Sequence, residues 1–170
     1  MSWQKKIERI RSLSAENEEI GIVFECSETG VPESALGKLL ASFPFLPDEY
    51  IDFLAITNGA QLDHCVLFGT DTSSFPVLDD LHRRWKELFP PNNYFCFGED
   101  SGGGVFYLQT DGSVWLAEPQ SPHSKRVISS GFGYFLDEIL MGSKYATILF
   151  PFGTFQGDEW LEFLKREGWA

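Results

Sequence analysis

The sequence predicts an α+β fold, a single domain in which a mainly antiparallel central sheet is flanked by helices. Three observations predict it. Helical periodicity marks both ends of the chain, short strand-like runs crowd its middle, and Thr110-Asp111-Gly112 joins two of those runs as a tight hairpin. With 170 residues, 43% of them apolar, and with 16 phenylalanines and 5 tryptophans, the chain has the material for one buried core.

Trp3, Ile7, Ile10 and Leu13 recur at helical spacing and predict an amphipathic first helix ending near Leu13. The stretch from Ser14 to Gly30 is mixed, and GIVFECSETG reads as a short strand or a loop. Pro32 opens a second helix with Leu36, Leu39, Leu40 and Phe43 on one stripe. FPFLPDEYIDFLAITNGA is the best-punctuated segment. Pro47 suits the first turn, Asp48 and Glu49 sit where the helix dipole favours negative charge, and Asn58-Gly59 supplies a left-handed stop.

HCVLFG then reads as a strand, and Leu78, Leu81, Trp85 and Leu88 as a helical stripe. YFCFG is a strand, GVFYLQ and SVWLAE form the hairpin, and RVISS is a further strand. GFGYFLDEILMG predicts a helix with Phe132, Phe135, Leu136, Ile139 and Leu140 inward. DEWLEFLKREGW is a final helix capped by Asp158, with acids first and bases last. FPFGTFQG before it is the predicted flexible spot.

The formal charge of −12 is unevenly spread. No Lys or Arg falls between Leu39 and His82, nor between Glu87 and Ser124. Such a surface repels phosphates and membranes; it is either an ordinary solubilising surface or one that speeds encounter with a basic partner. Apolar runs are too short for a membrane span, and MSWQKKIERIRSL lacks the apolar core of a secretory signal. Cys26, Cys65 and Cys96 cannot all pair and show no metal spacing, which suits free thiols in a reducing compartment; a cytoplasmic location is expected.

Residues 97–104, FGEDSGGG, contain the Asp-Ser-Gly-Gly run that carries the nucleophile in trypsin-like proteases, and His64-Cys65 lies upstream. The architecture argues against that chemistry. A double β-barrel needs roughly 200 or more residues and many strands. This chain is shorter and rich in helix, and His64 precedes Ser101 by only 37 residues. The glycines are also no phosphate loop, because no Lys follows and Glu99 and Asp100 repel phosphate. They read as a bulged turn between neighbouring strands. His64, Cys65, His82 and His123, the last in a Pro-flanked loop, lack metal-ligand spacing. No catalytic, metal or cofactor site is expected. Phe106, Tyr107 and Trp115 lie on a hairpin without bases, which argues against a nucleic-acid platform. Trp115 is either a protein-binding anchor or is covered by a second helical layer.

Leu46-Pro47, Tyr50, Phe53-Leu54 and Asn58-Gly59 resemble the LPxxYxxFLxxxNG signature of the SUKH superfamily, which includes the yeast cell-wall-synthesis regulator domain and many bacterial immunity proteins. Phe97-Gly98 and Gly102-Gly103, the Asp111-Gly112 hairpin, and Ile128 through Phe132, Phe135 and Leu136 follow in the family's order. The resemblance covers residues 32–141. Residues 1–31 form an N-terminal helix and connecting segment, and 142–170 a C-terminal extension with the terminal helix, all within one domain. Ala60 stands where a second Gly is common, Gly104 where an acid is common, and a His after the hairpin is missing.

The resemblance implies a non-enzymatic protein-binding domain, an immunity protein that neutralises a cognate toxin, often a nuclease. The partner expected is a basic toxin domain, with no direct nucleic-acid or membrane contact. Candidate contact residues are Asp48, Glu49, Asp52, Asp63, Asp71, Asp79, Asp80, Glu99, Asp100 and Trp115. A regulatory scaffold like the yeast relative, or a small hydrolase using Ser101 or a carboxylate pair, are the alternatives.

Overall fold

The computed structural model describes residues 1–16, 24–71, 75–118, 121–150, 153 and 157–170. Among them, seven strands form one antiparallel sheet whose spatial order follows the chain. They are β1 (Phe24–Cys26), β2 (Ala60–Leu62), β3 (Cys65–Leu67), β4 (Tyr94–Asp100), β5 (Val105–Gln109), β6 (Val114–Glu118) and β7 (Ser121–Ser129). The helices are α1 (Trp3–Glu16), α2 (Glu33–Ser42), α3 (Asp48–Ile56), α4 (Leu78–Trp85), α5 (Phe132–Tyr134), α6 (Tyr145–Leu149) and α7 (Glu159–Arg166). The α+β class expected from sequence is what the chain adopts.

The signature segment folds as its punctuation predicts. Pro47 stands as the N-cap of α3 rather than inside its first turn, and Tyr50, Phe53 and Leu54 are buried. Gly59 takes φ +99° where the helix stops. Asn58 does more than end the helix, since its Oδ1 accepts from the Thr70 N–H at 2.7 Å and ties the stop to the far end of the β2–β3 hairpin. The Asp158 cap is present as well, its Oδ1 accepting from the Leu161 N–H at 2.8 Å.

Alternation divides the sheet into two faces. On the inner face an aromatic column joins sheet to helices. Tyr50 packs on Phe132 at 4.9 Å and on Phe95 at 5.2 Å, Phe97 on Phe132 at 5.3 Å, and Phe106 on Phe135 at 5.2 Å. Phe95 and Phe97 share this face by alternation, and the register shift between Cys96 and Gly98 turns Glu99, which pairs with Val105, to the other face. Trp3, Ile7, Ile10, Trp160 and Leu164 belong to the same continuous core, so both terminal segments fold onto the matched region.

Four details differ from the sequence reading. α1 runs to Glu16, about a turn past Leu13, its last turns held by Arg11, which reaches the Ser27 carbonyl across the chain at 2.8 Å, and by Ser14, which donates to the Ile10 carbonyl at 2.8 Å. β7 starts at Ser121, so His123 lies in a strand rather than a loop. His64 sits in the two-residue turn of the β2–β3 hairpin, ahead of the strand. The predicted helix after Ser130 begins as α5 and widens into a π-helical turn, Phe135–Leu140, where the Met141 N–H bonds the Leu136 carbonyl at 3.0 Å. Most of FPFGTFQG and the start of GIVFECSETG lie outside the described residues.

Candidate partner-binding surface

The outer face of the sheet holds a concavity of about 290 Å³ between β2, β3 and β4 and the approach to α4. Register builds it. Gln61 stands opposite Val66, and Val66 opposite Glu99, so all three side chains emerge on one face. Glu99 in turn pairs with Val105. Val105 alternates with Phe106 along β5, and Phe106 packs inward on Phe135, which places Glu99 on the side away from α3 and α5. Val66, Phe68 and Pro76 supply the apolar part of the lining, and Asp63, Glu99 and Asp100 the acidic part.

Each of these acids is held in place. Asp63 opens the β2–β3 turn at φ +52°, a conformation that Asp tolerates better than most residues. Its Oδ2 accepts a hydrogen bond from the Tyr145 hydroxyl and lies 3.5 Å from His64 Nε2. Burial and the adjacent Asp63 carboxylate push the Tyr145 hydroxyl well above its ordinary pKa, so it stays a donor. Glu99 accepts from Arg84 at 3.0 Å and from the Trp85 indole at 3.0 Å. Asp100 accepts from the Gly104 N–H at 2.8 Å and closes the glycine turn. Gly103 takes φ +83° at its crest, which is why a glycine stands there. FGEDSGGG is thus an inter-strand turn whose acid is its clasp.

His64 and Ser101, weighed above as protease parts, do meet in this concavity. The Ser101 N–H donates to the His64 carbonyl at 2.8 Å, so the contact runs through the backbone.

The other candidates lie elsewhere. Asp48 and Asp52 are exposed on α3, the layer that covers the inner face, so the sheet separates them from the concavity. Glu49 is on the same helix, but its carboxylate accepts from the Gly133 N–H at 3.1 Å and fastens α3 to α5. Asp71 is exposed beyond β3. Asp79 and Asp80 occupy the first turn of α4, and Asp80 pairs with Arg83. Trp115 stacks on Tyr107 with a 6.3 Å centroid separation, donates to Ser113 Oγ at 2.8 Å, and stays half-buried beside the exposed Val127. The ten residues therefore form several patches rather than one. Sequence reading missed the apolar lining, whose signal was the alternation of Val66 and Phe68, and missed Arg84, which neutralises Glu99. Among the described residues no three His, Cys, Asp or Glu side chains gather as a metal-binding group, and no helix is long and apolar enough to cross a membrane.

A seven-strand meander backed by helices, entered through the Pro47–Gly59 helix and stop, defines a single-domain α+β protein of the SUKH type. The chain belongs to the SMI1 / KNR4 family (SUKH-1), whose family model matches residues 30–138. A comparison with curated proteins finds no match.

Proposed function

We propose that this chain is a non-enzymatic protein-binding domain, an immunity protein that neutralises a cognate bacterial toxin by direct contact. The observation that carries this reading is the outer-face concavity, where apolar side chains from β3 and Pro76 sit inside an acidic rim. Desolvated apolar contact gives binding energy, while rim charge steers encounter and selects partners. A chain of net charge −12 is suited to a basic partner, and toxins that act on nucleic acids carry basic surfaces. The family assignment supports the domain class, and the toxin partner rests on this charge argument.

Co-expression with a panel of basic nuclease toxin domains, scored for survival and co-purification, tests it. Rescue with near-equal stoichiometry is the expected result for the matched toxin. Rescue without a stable complex would contradict direct neutralisation.

A second reading draws on the meeting of Asp63, His64 and Ser101 in the same concavity, which allows a hydrolase. A Ser101→Ala variant separates the two. Protection is unchanged in a binding protein and abolished if Ser101 is a nucleophile.

A further inference from the structure

Between Leu39 and Ser124 the only Lys and Arg residues are Arg83, Arg84 and Lys86. The fold sends them in two directions. Arg84 turns to Glu99 at the acidic concavity, whereas Arg83 and Lys86 line a separate niche of about 230 Å³ between α4 and the start of β4. His82, Phe89 and Tyr94 line the same niche. Lys125 joins them from β7: its Nζ lies 4.3 Å from the Phe89 ring centre and 4.9 Å from that of Tyr94, and donates to the Leu88 carbonyl at 3.3 Å. A chain of net charge −12 thus places three of its 13 Lys and Arg residues around one pair of aromatic rings.

The geometry explains why the niche is there. β3 pairs only with Gly98, Glu99 and Asp100, which leaves the Tyr94–Cys96 half of β4 without a strand neighbour on that edge. α4 packs there instead, and His82 Nε2 donates to the Cys96 carbonyl at 2.7 Å. A helix does not fill the edge as a strand would, and the remaining gap is the niche.

We propose that this niche is a second docking site, one that receives an aromatic side chain flanked by carboxylates from a protein partner. Its size decides the class of occupant. Small-molecule pockets run to about 300–1,000 Å³, so this one suits a single ring better than a whole ligand. The buried Phe89 forms the floor, the half-buried Tyr94 offers the ring contact, and Arg83 and Lys86, both exposed, meet the flanking acids. Asp80 already pairs with Arg83, and an incoming carboxylate exchanges that exposed pair at little cost. A nucleic-acid strand would need a continuous basic groove, and the acidic surroundings oppose it. The site does not depend on the toxin reading, because its occupant and charge are opposite to those of the concavity.

The test is a ¹H–¹⁵N titration of the full chain with the peptide Glu-Glu-Phe-Glu-Glu. Saturable shifts confined to the amides of residues 82–94 and Lys125 are expected. A doubly substituted Arg83→Glu, Lys86→Glu chain, with an otherwise unchanged spectrum, should bind about five- to tenfold more weakly, as loss of two exposed charge contacts implies. Equal shifts from Glu-Glu-Ala-Glu-Glu, tighter binding of an oligothymidylate, equal binding of free phenylpropionate, or no saturable shift would each overturn the proposal.

Discussion

Tyr50 is fully buried, and among the described residues its hydroxyl finds no hydrogen-bond partner. Burial pushes its pKa well above the ordinary phenol value, so it stays neutral. The residue is held by its ring, which meets Phe53, Phe95, Phe97 and Phe132. An unpaired buried hydroxyl costs free energy that a phenyl ring does not. Tyr50→Phe is therefore expected to leave stability unchanged or raise it by about 1 kcal/mol in urea denaturation. A loss of that size would show that the hydroxyl has a partner. Glu49, next to it, illustrates the opposite case, a surface carboxylate whose work is to hold Gly133. Its identity as an acid was legible in the sequence; its engagement was not, because the partner lies 84 residues away.

At the scale of elements, two junctions carry the tests. The π-helical turn has loose carbonyls, and Lys6 of α1 satisfies them. Its Nζ donates to the carbonyls of Asp137 at 2.7 Å and Met141 at 2.9 Å, and pairs with the Asp137 carboxylate at 2.9 Å. Only 5% of Lys6 is exposed, so removing its charge leaves buried acceptors behind. Lys6→Met should cost about 2–4 kcal/mol, whereas Lys5→Met, on the exposed side of α1, should be nearly neutral. Comparable losses for both would contradict the clamp.

The second junction is α4 against β4. Burial lowers the pKa of His82, against smaller raising effects from the Cys96 carbonyl and Asp79. The folded state therefore disfavours the charged ring. Its stability contribution is complete above the unfolded pKa of about 6.5 and falls as pH drops below that value, levelling out once the folded pKa is passed. Urea midpoints measured from about pH 7.5 to 5 should decline for the native chain, and His82→Gln, which keeps a neutral donor, should flatten that decline. An equal decline in the variant would place the titrating group elsewhere.

What could be read from sequence follows from range. The Pro47–Gly59 helix and stop, the Asp111-Gly112 hairpin and the Asp158 cap all rest on residues within a turn or two of one another, and all three appear, with Pro47 at the N-cap rather than in the first turn. β1 has three residues, and it exists only because Phe24–Cys26 finds Ala60–Leu62 far along the chain. The π-helical turn keeps the same apolar stripe as an α-helix, so periodicity could not announce it. The concavity was hidden for the same reason as the short strands. Asp63 and Glu99 approach each other only through the register of β2, β3 and β4.

For the whole molecule, charge distribution is the deciding property. The acids lie on both sides of the sheet, and between Leu39 and Ser124 the only Lys and Arg residues are on or just after α4, so a partner's docking face can be located by reversing one patch at a time. The most direct measurement is the survival of cells expressing the matched toxin, with the native chain, Val66→Arg or Asp52→Arg as protector. Val66 belongs to the concavity and Asp52 to the exposed side of α3, and neither is a deeply buried position. The account predicts protection by the native chain and by Asp52→Arg, and its loss with Val66→Arg while the variant stays folded. Full protection by Val66→Arg, with loss in Asp52→Arg, would contradict it and move the contact to the helical face.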